Sequence, residues 1–128
     1  MIAARAPRRI ELLQWFGLFG GAAAWTLQHA ALFAVAVARC NSGSAPWGID
    51  ATAWKLGLTI GAAVVAAGAE LAAGVTWMRT RGAAESEAPP RGRLHFFSLC
   101  ALVGNVLFLG AIVLDGVGSL YWHPCGQA

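Results

Sequence analysis

Few residues in this chain carry chemistry, and most of those fall inside long apolar runs. Glu70 and Asp115 are isolated carboxyls in two such runs, and His29 follows Gln28 in a third. A charge at bilayer depth costs roughly 2.5–3.5 kcal/mol on insertion scales, so each of these residues needs a partner or a task. A carboxyl there can be protonated and hydrogen-bonded, can meet a neighbouring subunit, or can carry protons. Asn105 is expected at the depth of Glu70 and is its expected hydrogen-bond partner. Lys55, reaching along its own stem, is the expected partner of Asp115. A membrane histidine can ligate haem, bind a chlorin or relay protons; equally, it can be a neutral group hydrogen-bonded in a bundle. His95 lies too far from His29 in depth, roughly 27 Å by helix rise, for both to hold one haem. An axial role for His29 opposite a residue of another subunit stays open.

These residues sit in a chain of 128 residues that is 58% hydrophobic and 12% charged. An ordinary soluble domain carries about 25% charge. The apolar residues form three blocks, and the lone charges within them are Glu11 (Ile10–Ala38), Glu70 (Leu56–Met78) and Asp115 (Phe96–Leu120). Each block exceeds the roughly 20 residues that cross a hydrocarbon core as a helix. None alternates as a barrel strand would. The expectation is an all-α membrane protein of one domain, 1–128, with transmembrane helices at about 10–38, 52–78 and 94–120. "RAPRR" ahead of the first block resembles the start of a signal peptide. The block that follows is far longer than the roughly 7–15 apolar residues of one, so it is read as a retained helix.

Arg5, Arg8, Arg9, Arg79, Arg81, Arg91 and Arg93 flank one end of the helices, against Arg39 and Lys55 at the other. Positive charge stays on the cytoplasmic side, which predicts a cytoplasmic N-terminus and a periplasmic C-terminus in a bacterial inner membrane. The net charge of +3 is this bias and gives no sign of nucleic-acid binding. The loop 79–93, "RTRGAAESEAPPRGR", reads as a mobile connection, and in "NSGSAPWGID" Asp50 is placed to cap the second helix.

This orientation puts Cys40 and Cys125 together on the outer side, in two short segments. In an oxidising compartment they are expected to form a disulfide. The alternative is two free thiols. His123 beside Cys125 raises a metal reading, but a site needs three or four ligands and a bonded cysteine pair leaves too few. Cys100, in the third helix, reads as a small buried apolar residue.

Helices approach closely in lipid through small residues. Gln14, Gly17, Gly21, Ala24 and Gln28 share one stripe of the first helix. Gly57, Gly61 and Gly68 form another on the second, and Glu70 stands about 220° round from Gly57 with Ala63, Ala66, Gly74 and Trp77. Asn105, Phe108, Ile112, Asp115 and Ser119 align on the third. The second helix therefore has two faces, and one is spare for another protein.

No catalytic constellation is present: no CxxC, no serine-centred triad and no phosphate-cradling glycine loop. The chain is read as a non-enzyme with no cofactor of its own. With three helices it also lacks the inverted repeat of a secondary transporter.

"FGLFGGAAAWTLQHAALFAVAVARC" and "FFSLCALVGNVLFLGAIVLDGVGSLYWHPC" resemble the first and last helices of small bacterial membrane proteins found with haem-copper terminal oxidases and related respiratory complexes. The resemblance covers about half the chain, and Gly21, Trp25, Gln28, Cys40 and Cys125 are its specific points. It implies an accessory subunit packed against larger subunits that hold the haem and copper, with lipid bound between. Two other readings stand beside it: a pigment- or haem-binding subunit using His29, and a small homo-oligomeric transporter using Glu70.

Overall fold

The computed structural model describes residues 8–40, 50–82, 89–122 and 125. Arg5 and His123 lie outside the described residues. Three helices account for almost all of it: α1 (Arg8–Cys40), α2 (Ala51–Thr80) and α3 (Arg91–Tyr121). All three are long and apolar enough to cross a membrane, so the chain is built as a multi-pass membrane protein. Each runs a few residues beyond its apolar block, because a helix persists into the polar boundary where flanking arginines are solvated. At the start of α2, Asp50 accepts a hydrogen bond from the Thr52 N–H at 2.9 Å, satisfying one of the orphan donors of the first turn.

The helices run up, down and up, and each touches the other two. One end of the bundle gathers Arg8, Arg9, Arg79, Arg81, Arg91 and Arg93, the arginine end. At the other, Cys40 and Cys125 are joined by a disulfide, with Cα atoms 5.4 Å apart, which ties α1 to the segment after α3.

The distribution of side chains is inverted relative to a water-soluble bundle. Leu12, Leu27, Phe33, Leu71, Leu107 and Leu114 are exposed, while the interior is filled by alanine, glycine and polar groups. In hydrocarbon, leucine gains nothing by turning inward, so close backbone packing and hydrogen bonds decide which face is interior. Gly17 shows the closeness: a Cβ there would stand 3.0 Å from the backbone N of Ala73 on α2. Among the described residues Ile112 is the largest side chain that is fully buried, against Ala24, Ala62 and Ala66.

Candidate functional site

The polar interior falls into two clusters. Toward the arginine end, the Asn105 amide donates to the Gly17 carbonyl at 2.8 Å. Asn105 fits there because Gly21 has no side chain; a Cβ on Gly21 would collide with Asn105 Oδ1. The Asn105 side chain also neighbours the Glu70 carboxyl. Glu70 Oε2 and Gln14 Nε2 are buried with no partner among the described residues. Glu70 thus stands beside Asn105 of the third helix, with one carboxyl oxygen uncommitted.

Toward the disulfide end, Gln28 is buried and bridges all three helices. Its Nε2 donates to Thr59 Oγ1 on α2 at 3.2 Å and to the Ile112 carbonyl on α3 at 3.1 Å. Its Oε1 is buried without a partner. Thr59 in turn donates to the Lys55 carbonyl, and its side chain fills the space left by Gly116.

One residue on from Gln28, His29 turns about 100° away from the interior and meets α3. Its Nδ1 lies 2.8 Å from Asp115 Oδ2. Sequence depth alone pairs Asp115 with Lys55. Instead the Lys55 ammonium donates to the Ser119 carbonyl near the end of α3. The reason is register: α1 and α3 run parallel, and two contacts in succession, Trp25 with Phe108 and then His29 with Asp115, mesh their facing rows. The Trp25 and His29 rings are stacked with centroids 5.6 Å apart, so the imidazole is held from below as well. The signal for this pairing was in the sequence, as Trp25 and His29 are one helical turn apart.

The glycine stripe of α2 has a different fate from that of α1. Nothing lies within 4 Å of a Cβ placed on Gly57 or Gly61, and Gly68 reaches only the Phe16 ring at 3.8 Å. The interior face of α2 is instead Ala62, Ala66, Ala69, Ala73 and Thr76. Gly57 and Gly61 form the floor of an open apolar groove of about 1030 Å³ between α1 and α2. Trp15, Phe19, Leu27 and Trp54 line it as well. The α1 stripe of Gln14, Gly17, Gly21, Ala24 and Gln28 is wholly buried. Cys100 departs from expectation: it is a free thiol on the exposed side of α3. In an apolar medium that is no penalty for so weakly polar a group.

Among the described residues no three His, Cys, Asp or Glu side chains come together as a metal-binding group. No protein-family model matches the chain, and no curated protein or solved structure matches it.

Proposed function

We propose that this protein is a non-catalytic accessory subunit of a respiratory electron-transfer complex in a bacterial inner membrane. The open groove between α1 and α2 carries this reading. The three helices already pack against one another through the Gln14–Gln28 stripe, Asn105 and the alanine face of α2. Gly57 and Gly61 are left over, four residues apart, where a further helix can approach closely. A transmembrane helix of a larger subunit would lie there, with lipid covering the rest. The haem and copper would belong to that subunit. The arginine bias favours a cytoplasmic N-terminus and a periplasmic C-terminus, the compartment in which a Cys40–Cys125 disulfide persists. The respiratory assignment itself comes from the resemblance of the first and third helices.

The test is gentle extraction of the tagged protein from its native membrane, identification of what co-purifies, and a visible spectrum of the same sample. Cofactor-bearing subunits in stoichiometric amounts are expected, and a Gly57→Leu/Gly61→Leu variant should lose them. A colourless protein recovered alone would sink the subunit reading. Transport that fails in Glu70→Gln would then bring the transporter reading forward, because Glu70 Oε2 has no committed partner.

A further inference from the structure

His29, Asp115 and Lys55 belong to a cleft separate from the α1–α2 groove, and the cleft is chemically specific. It has a volume of about 440 Å³, within the range of small-molecule sites, and its apolar walls include Leu32, Phe33 and Leu114. With the Asp115 carboxyl as the acceptor, the hydrogen it shares with His29 sits on Nδ1. In that tautomer Nε2 is an acceptor, and it has no partner among the described residues. The His29 side chain is 60% exposed and lines the cleft, so the ring is open to an occupant and not sealed in the bundle interior. Asp115 fixes the tautomer and Trp25 the ring plane, an arrangement in which a histidine is presented to a ligand. The Lys55 ammonium has one hydrogen on Ser119 and two more to give.

An occupant must therefore donate one hydrogen bond, accept another, and carry an apolar body that lies along the membrane. A phosphate-bearing lipid headgroup is disfavoured, since its oxygens would confront both the Nε2 lone pair and the Asp115 carboxylate. We infer that this cleft binds the ring of a membrane quinol. One hydroxyl donates to His29 Nε2, a ring oxygen accepts from Lys55, and the alkyl tail runs out past Phe33.

The experiment uses the full chain, disulfide intact, in phosphatidylcholine nanodiscs with ¹⁵N-labelled histidine. The Nε2 resonance of His29 is followed while decylubiquinol is added without oxygen. A saturable shift is expected, with decylubiquinone binding roughly tenfold more weakly because it has no hydroxyl to donate. His29→Gln and Asp115→Asn should each weaken quinol binding by about tenfold, read from saturable quenching of tryptophan fluorescence. The quinol–quinone comparison needs no variant, so a misfolded substitution cannot mask the answer. Equal affinity for the two redox forms would overturn the proposal. So would unchanged binding in His29→Gln, displacement of quinol by phosphatidylglycerol, or a haem absorption band that competes with quinol for His29.

Discussion

Two rows of glycine, Gly17–Gly20–Gly21 on α1 and Gly57–Gly61 on α2, have the same composition and opposite roles. The first is buried: a Cβ would collide at Gly20 and Gly21 and would crowd the Ala73 backbone of α2 at Gly17. The second has nothing near it. What separates them is their neighbours in helical register. Gln14 and Gln28 lie on the α1 row, and Asn105 crosses from α3 to bond Gly17. The α2 row has only apolar company. Small residues permit close approach, but polar groups that must be satisfied determine where the chain uses that freedom on itself.

Placing a leucine in the buried row is the hardest test of this contrast. In Gly21→Leu the first added carbon already meets Asn105, so α1 and α3 must separate and the Asn105–Gly17 bond is lost. A loss of about 3 kcal/mol or more is expected, as for overpacked interiors, read from unfolding in mixed micelles. Wild-type stability in this variant would mean the row is not packed as described.

The disulfide closes the end of the seam that the buried row opens. For a free coil, closing a loop of this size is worth about 4.5 kcal/mol on the chain-entropy model. Here the helices stay inserted after they separate, so much of that freedom is already gone. Cys40→Ser/Cys125→Ser is therefore expected to cost about 2 kcal/mol, measured in the same assay. Asn105→Leu removes one interhelical hydrogen bond while keeping the branched outline of the side chain, and should cost about 1 kcal/mol. Were it to cost as much as Gly21→Leu, the polar contact and not the steric one would define the buried row.

Much of this architecture is legible from one sequence because the bilayer is so restrictive a solvent. Three apolar blocks give three helices, and the α1 stripe follows from the spacing of Gln14, Gly17, Gly21 and Gln28. Cys40 and Cys125 meet because two short segments share one end of the bundle. Harder to read were contacts set by how one helix is rotated against another. Depth places Lys55 and Asp115 together, yet a rotation of α1 brings His29 to the carboxylate first. Cys100 fails for a related reason: its small apolar character suits lipid as well as an interior. On α2 the glycines drew the eye, and alanines made the interior, since both are small enough for close packing.

The smallest expected effect is the most informative for the open row. Gly57 and Gly61 face the membrane, where leucine is at home and is also the better helix former. Gly57→Leu/Gly61→Leu should therefore leave the isolated protein within about 0.5 kcal/mol of wild type, as exposed substitutions usually do. A large loss would show that the row touches the rest of the chain, and the contrast with α1 would collapse. With stability unchanged, a failure to recover partner subunits in the variant would point to the side chains now standing on the face proposed to take another helix. The same leucine that wrecks one glycine row would then act on the other only through the proposed partner, and stability and co-purification together tell the two rows apart.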